Sequence, residues 1–148
     1  MPRLALLIFL ISSPAFGGLN LGMTGKIDTP FIVGAKVDGQ LYKDYLLGMQ
    51  LYAPKHYGID INFSKIINCD WLLWAGVGKG KFNDMADTWN IGAQYQNILI
   101  NYRRGEWTET YYQPYRVCKH WNCKTRYQQI NSQEHDWMIT VSVEVVRF

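Results

Sequence analysis

Apolar and polar residues alternate with a period of two through most of the chain from Gly18 onward, and this pattern limits its possible folds more than any other feature of the sequence. A period of two places the two sets of side chains on opposite faces of a β-strand. The last stretch, Trp137 to Phe148, carries apolar residues at Ile139, Val141, Val143 and Val145 and polar residues at Thr140, Ser142 and Glu144. We therefore predict an all-β chain that ends on an amphipathic strand.

Eight segments carry this alternation, and turn-forming residues separate most of them. They are residues 19–27, 31–37, 45–52, 57–64, 71–78, 89–96, 98–103 and 137–148. Asp38-Gly39 is a strong hairpin signal. The residues from 104 to 136 form a long polar and aromatic segment with no clean alternation. We predict eight antiparallel strands in a single domain, 18–148, with residues 104–136 as a long loop between strands seven and eight.

The two faces of the predicted strands differ in chemistry. One face carries aliphatic and aromatic side chains, and the other carries Gly, Asn, Gln, Thr and Ser together with charges of both signs. Those charges could pair inside a narrow lumen: Lys26, Lys36, Asp60, Arg103 and Glu144. The recurring glycines fit a crowded eight-stranded interior, which needs small side chains. Alternation alone leaves open which face is inside, because a soluble sheet buries its apolar face whereas a membrane barrel turns it toward lipid.

The amphipathic strand that ends on Phe148 resembles the closing strand of bacterial outer-membrane β-barrels. At the level of architecture, residues 18–148 are similar to the small OmpA/OmpX-type barrels. The resemblance implies an eight-stranded, antiparallel, up-and-down transmembrane β-barrel in the outer membrane, with residues 104–136 outside the cell. It also implies that the barrel-assembly machinery reads the C-terminal strand through Phe148. Strict alternation puts Phe148 in phase with Glu144, so we predict a β-bulge near Val145-Val146 that restores the phase.

The N-terminal 17 residues have the order of features found in a secretory signal peptide. Arg3 supplies a positive charge, residues 4–11 are apolar, and Ala15-Phe16-Gly17 is a small-x-small cleavage site. Cleavage after Gly17 would remove Arg3 and lower the formal net charge from +3 to +2. That charge is too small to indicate nucleic acid as a partner. We expect a protein that crosses the inner membrane and resides in the outer membrane.

Two of the three cysteines are close in sequence. Cys118 and Cys123 have four residues between them, and in a secreted chain this spacing predicts a disulfide that clamps a hairpin tip within 104–136. A metal site formed by these cysteines and His120 would need a fourth ligand that the spacing does not supply. Cys69 is left over, and the proposed topology places it at the opposite rim. We expect neither a metal nor a cofactor.

The segment 104–136 is also the predicted binding element, because it is rich in the residue types that dominate binding hot spots. The candidate binding residues are Trp107, Tyr111, Tyr112, Tyr115, Arg116, Lys119, Trp121, Lys124 and Arg126. Phosphates of lipopolysaccharide, other outer-membrane lipid or an extracellular protein are the expected partners. The chain is therefore interpreted as a small non-enzymatic outer-membrane barrel that binds or adheres through an external loop.

Two alternatives remain open. Ser132, His135 and Asp136 are the components of a serine hydrolase site, although close sequence spacing rarely gives the hydrogen-bond geometry of a triad. Lipid A acyltransferases and deacylases of the outer membrane use serine and histidine on small barrels, but no His-x-Ser motif occurs in this chain. The first alternative is thus a lipid A-modifying enzyme. The second is a soluble periplasmic β-barrel that binds its ligand in an apolar pocket.

Overall fold

The computed structural model describes residues 15–26 and 30–147, and these form eight β-strands. Among these residues none belongs to a helix that could cross a membrane. The predicted signal segment falls outside the described residues up to position 14, as do residues 27–29 and the terminal Phe148. The strands are β1 Ala15–Thr24, β2 Phe31–Tyr42, β3 Tyr45–Ala53, β4 Tyr57–Ile66, β5 Trp71–Lys81, β6 Met85–Tyr95, β7 Ile98–Lys119 and β8 Asn122–Arg147.

Each strand pairs antiparallel with the next, and β8 pairs with β1, so the sheet closes into a ring. The predicted count of eight antiparallel strands is confirmed. Three of the connections are two-residue turns whose first residue has a positive φ: Lys43 at 46°, Gln96 at 52° and His120 at 55°. A positive φ at that position belongs to the primed turns, whose twist matches that of the flanking strands.

The connections alternate between the two ends of the ring. The β2–β3, β4–β5 and β6–β7 turns lie at the end where β1 begins and β8 finishes, which we call the terminal end. The other four connections lie at the opposite end, which we call the ribbon end. This is the grouping that the predicted up-and-down topology requires.

The structure corrects the predicted loop 104–136, which is a continuation of two strands. β7 and β8 stay paired up to the two-residue turn His120–Trp121. β6 pairs with β7 only as far as Glu106, so residues 107–119 and 122–134 form a two-stranded ribbon that leaves the ring. Thirteen residues per strand extend about 40 Å. The prediction failed because both faces of the ribbon are largely exposed to solvent. A strand with solvent on both faces does not require polar and apolar residues to alternate.

The predicted turn at Asp38-Gly39 is also wrong. β2 continues through both residues to Tyr42, and Asp38 pairs with Gly48 of β3. The Asp38 side chain points into the ring and forms an ion pair with Lys36, with 3.2 Å between carboxylate oxygen and Nζ. Pairing on both edges and this buried ion pair override the local preference of Asp-Gly for a turn.

The predicted bulge in the last strand is confirmed. Leu19 of β1 pairs with Val146 of β8, whereas the next residue, Asn20, pairs with Glu144. Val145 is therefore the extra residue on β8. The bulge lets two successive valines, Val145 and Val146, both be exposed on the outside of the ring.

Candidate functional site

The ring is polar inside and apolar outside. Its outward aliphatic side chains are 42–66% exposed at Leu21, Val33, Leu51, Ile61, Val77, Ile91, Ile100 and Val141. Its buried polar side chains are Asn20, Lys36, Asp38, Gln50, His56, Asp60, Asn62, Ser64, Thr88, Asn90, Gln94, Asn101, Arg103, Thr140 and Ser142. The structure thus resolves the question that alternation left open. The ring encloses the polar face, in contrast to a soluble carrier with an apolar pocket.

The middle of the lumen is held by a buried ion pair between Asp60 and Arg103, which are 0% and 1% exposed. Arg103 Nε donates to Asp60 Oδ2 at 2.8 Å, and its Nη2 donates to the same oxygen. The Thr88 hydroxyl donates to Asp60 Oδ1 at 2.8 Å. The guanidinium also stacks over the Tyr52 ring, 3.6 Å from its centroid. A buried pair with this many additional contacts has the geometry needed to offset desolvation.

Amide side chains continue the packing toward the terminal end. Asn90 donates to Asn62 Oδ1 at 3.2 Å, and Asn62 donates to Gln50 Oε1 at 3.3 Å. On the other side of the lumen, Trp74 Nε1 donates to Asn101 Oδ1 at 3.2 Å. These bonds span four strands, from β3 to β6, and a fifth, β7, through Asn101.

The predicted set of lumen charges is present, but it is divided into separate pairs. Lys36 pairs with Asp38, and its Nζ lies 4.1 Å from the centroid of the Trp74 ring. Lys26 pairs with Asp136 at the ribbon end. At the terminal end Glu144 accepts from Arg147 Nε at 2.6 Å and from Gln94 Nε2 at 3.3 Å.

The two ends of the lumen differ. The ribbon end is closed by an apolar cluster of Ile32, Tyr52, Phe82, Ala86 and Met138, with Trp107 packed against it. The His56 ring stacks on Phe82 within this closure, with 5.3 Å between ring centroids. The terminal end opens into a cavity of about 860 Å³ whose lining includes Lys36, Asp38, Gln94, Glu144 and Arg147. The lumen is therefore open at the terminal end and closed at the ribbon end, with the Asp60–Arg103 pair buried between the two ends.

Glycine is required where inner side chains approach the backbone. A Cβ built on Gly76 would lie 1.9 Å from Asn62 Oδ1 and 2.6 Å from the Ile61 carbonyl oxygen. A Cβ on Gly92 would lie 2.3 Å from the Trp74 ring. This confirms that the inner face needs small residues where large ones cross the lumen.

Aromatic pairs flank the apolar band on the outside of the ring. Toward the terminal end, Tyr45 stacks on Phe63 at 5.5 Å and Trp71 packs on Tyr95 at 4.9 Å. Toward the ribbon end, the outward Trp89 and Tyr102 rings lie 5.4 Å apart. Beyond Trp89, the register aligns a row of ionisable residues on the outer surface across four strands: Lys79, Asp87, Glu106 and His135.

The ribbon continues the two faces of the ring, and the predicted binding residues divide between them. We call the side continuous with the inside of the ring the inner face of the ribbon, and the opposite side its outer face. Tyr112 and Arg116 lie on the outer face, and Trp121 lies in the turn, fully exposed. The inner face carries Trp107, Tyr111, Tyr115, Lys119, Lys124 and Arg126.

The tip of the ribbon is covalently closed. Cys118 and Cys123 sit opposite each other in the register and form the predicted disulfide on the outer face. Because both sulfurs are in this bond, the cysteines are not metal ligands. The described residues contain no group of three or more His, Cys, Asp or Glu that could hold a metal. Cys69 is exposed near the terminal end, as expected from the topology.

The weak catalytic candidates are not brought together. Ser132 lies on the inner face of the ribbon, and its hydroxyl donates to Glu134 Oε1 at 2.7 Å. His135 lies on the outer surface, three residues further along the same strand. Asp136 is on the inner side and pairs with Lys26. The period of two therefore turns the serine and the histidine away from each other.

Sequence reasoning missed several partners inside the lumen. Thr88, Tyr52 and Trp74 contact the buried charges, although each was assigned only a place in the alternation or none at all. All three residues share the phase of the polar residues on their strands, and this shared phase could have placed them in the lumen.

Comparisons with protein families, with curated proteins and with solved structures find no match to this chain.

Proposed function

We propose that this protein is a small β-barrel of the bacterial outer membrane that presents its ribbon to the outside as a binding element. The observation that carries the proposal is the reversed arrangement of faces, with ions and amides buried in the ring and aliphatic side chains exposed around it. In water this arrangement would expose a large apolar surface, which soluble monomers rarely do. In a bilayer it is the expected arrangement.

The dimensions of the ring support insertion in a bilayer. A tilted membrane-spanning strand needs about 9–11 residues. β3, β4, β5 and β6 have 9, 10, 11 and 11 residues. A closed ring also has no free strand edge, so every backbone group inside lipid has a partner.

Aromatic residues near both borders of the apolar band support the same assignment, because Trp and Tyr are enriched at the two interfaces of outer-membrane barrels. Trp71 and Tyr95 mark one border, and Trp89 marks the other. The row of charges from Lys79 to His135 would lie just outside the second border. The C-terminal strand that ends on Phe148 would be the segment read by the barrel-assembly machinery.

The ribbon is the proposed functional element, since the middle of the ring is occupied by buried side chains and its ribbon end is closed by the apolar cluster. Activity in such proteins belongs to the parts held out by the rigid scaffold. The proposed role is non-enzymatic binding or adhesion, with an envelope lipid, a polysaccharide or an extracellular protein as partner. No observation favours the serine hydrolase alternative over this one.

Membrane extraction and gel mobility test the proposal. We expect the protein to require detergent for release from the envelope and to migrate differently on a cold detergent gel before and after boiling. Replacing residues 107–134 with a two-residue turn should preserve both properties and abolish binding to the partner surface. Recovery of the intact protein in a detergent-free periplasmic extract would overturn the membrane assignment.

A further inference from the structure

The tip of the ribbon carries a regular row of cations on one face. The register pairs Arg126 with Tyr115, Lys124 with Val117, and Lys119 with Asn122, and these three pairs are successive rungs of the inner face. Each rung therefore has a single cation. Successive rungs on one face of an antiparallel ribbon are two residues apart, or about 7 Å. We call Arg126, Lys124 and Lys119 the cation ladder.

The ladder is free to bind an external anion. All three side chains are exposed, and among the residues that the structure describes no ion pair joins them to a carboxylate. Residues 113–128 contain four cations and no acidic residue. The fourth cation, Arg116, pairs with Thr125 on the outer face and is not part of the ladder. The tip is thus a local excess of positive charge on a chain of small net charge.

The phosphates of the membrane that would hold the ring are out of reach of the ladder. The outer row that ends at Glu106 and His135 would mark the membrane border, and the first rung lies nine residues beyond it. Nine residues of extended strand span about 30 Å. A ligand of the ladder must therefore extend away from the lipid headgroups.

The surface of the ladder fits a repeating anionic chain better than the other polyanions or a folded protein. Single-stranded nucleic acid is held mainly by bases stacked on successive aromatic rings, and the three rungs offer one ring, Tyr115. Protein hot spots occupy desolvated pockets, whereas these rungs lie on an open two-stranded ribbon. Clusters of Lys and Arg are typical of patches that bind nucleic acid or heparin, a sulfated polysaccharide, and the single ring disfavours nucleic acid.

We propose that the cation ladder binds a linear acidic polysaccharide, with one sulfate, phosphate or carboxylate group at each rung. This inference rests on the proposed function, since it names the partner class of the ribbon. The disulfide Cys118–Cys123 lies on the opposite face at the same level, where it fixes the spacing of the two strands without occupying the ladder.

The test uses the full-length protein in detergent micelles, with immobilised dextran sulfate as the probe and uncharged dextran as the reference. At about 0.15 M salt the screening length is about 8 Å, so cations that point away from the bound chain contribute little. Removing one exposed ion pair should weaken binding up to about fivefold. We expect Lys124→Gln to approach that loss and Arg116→Gln, which removes the same charge from the other face, to change affinity less than twofold.

The triple variant Lys119→Gln, Lys124→Gln, Arg126→Gln should lose about 100-fold in affinity if the three rungs act independently. All four positions are exposed, and an unchanged cold-gel mobility would show that each variant is folded. Equal losses for Arg116→Gln and Lys124→Gln would overturn the ladder, because binding would then follow net charge alone. Absence of binding to dextran sulfate, or tighter binding to single-stranded DNA, would overturn the polysaccharide assignment while leaving the membrane proposal to its own test.

Discussion

β7 and β8 belong to two regions with different physical constraints. Within the ring their side chains alternate between a buried polar interior and an exposed apolar exterior, as Arg103 and Ile100 illustrate. Within the ribbon the same two strands are paired only with each other, and most side chains on both faces are exposed. The hydrogen-bonded ladder is continuous through both regions. Alternation therefore reports the environment on each side of a strand and not the existence of the strand.

The ring and the ribbon are also stabilised by different interactions. The ring is closed and the middle of its lumen is packed with polar side chains, so its stability depends on buried charges and tight glycine contacts. The ribbon buries little, and an isolated two-stranded hairpin is marginally stable in water. Its order depends on anchoring to the ring at one end and on the disulfide at the other. Substitutions in one region are therefore expected to change the stability of that region and leave the stability of the other unchanged.

The largest effect is expected from breaking the ion pair at the centre of the ring. Asp60→Ala leaves the Arg103 guanidinium buried without its carboxylate, and loss of one partner of a buried pair costs about 3–5 kcal/mol. Urea unfolding of the detergent-solubilised protein measures the free energy of unfolding. Glu109→Ala, in the exposed ribbon, should change it by less than about 0.5 kcal/mol.

A double substitution separates the cost of the unpaired buried charge from the cost of lost packing. Replacing both partners, as in Asp60→Leu with Arg103→Met, leaves no unpaired charge and should recover most of the lost stability. If the double variant is as unstable as Asp60→Ala, the loss reflects packing and not the stranded charge. If Asp60→Ala and Glu109→Ala have equal effects, the contrast between ring and ribbon is wrong.

The second effect concerns the glycines of the inner face. Gly76→Ala would force a methyl group against Asn62 and the Ile61 carbonyl, and overpacking of this kind costs about 1–3 kcal/mol. Gly25→Ala is the matched control, because a Cβ there has no neighbour within 4 Å. The same urea titration should show a clear loss for the first variant and almost none for the second. Equal midpoints would indicate that the lumen has room that the structure does not show.

The third change loosens the ribbon and spares the ring. Opening the six-residue loop closed by Cys118 and Cys123 should destabilise the tip by about 2 kcal/mol on the chain-entropy estimate. Trypsin should then cleave at Arg116, Lys119, Lys124 or Arg126 about 30-fold faster in the double serine variant than in the oxidised protein. The unfolding midpoint of the ring should be unchanged. A lowered midpoint would show that the two regions are energetically coupled.

The smallest effect is expected at the closed end of the lumen. His56 is 3% exposed, and neither ring nitrogen has a hydrogen-bond partner among the described residues. Because a buried polar group without a partner is unfavourable, His56→Leu should leave stability unchanged or raise it by up to about 1 kcal/mol. A loss above 2 kcal/mol, measured in the same titration, would mean that the ring stacking on Phe82 matters more than the desolvation of its nitrogens.

Much of the ring could be predicted from sequence because its two environments impose a period of two on every strand. The phase of Phe148 even indicated the bulge at Val145. The alternation alone could not give the orientation of the faces, since it is identical for a sheet that buries its apolar side and one that buries its polar side. The charges of both signs and the glycines on the polar face favoured the polar interior that the structure has. Asp38-Gly39 was misread because local turn preference was weighed without the buried partner Lys36 that keeps Asp38 in the strand.

The ribbon could be predicted only in part. The disulfide followed from the spacing of the two cysteines, and the candidate binding residues, which composition indicated, stay a prediction. The strands did not follow, because Thr108 to Tyr112 show no period when both faces are exposed. The symmetry of the two cysteines about His120-Trp121 was a signal for a tight hairpin with a long pair of strands behind it. The cation ladder could not be seen in the linear sequence, because Lys124 and Arg126 lie on β8 and Lys119 lies on β7, and only the register places them on successive rungs of one face.

In the proposed orientation, the apolar outside of the ring faces lipid and the polar inside does not. Quenching of tryptophan fluorescence by brominated lipids measures this contact directly in variants that retain a single tryptophan. We expect strong quenching for Trp89, on the outside of the ring, and weak quenching for Trp74, which is 4% exposed inside it, and for Trp121 at the ribbon tip. Strong quenching of Trp74 with weak quenching of Trp89 would show that the proposed orientation of the two faces is wrong.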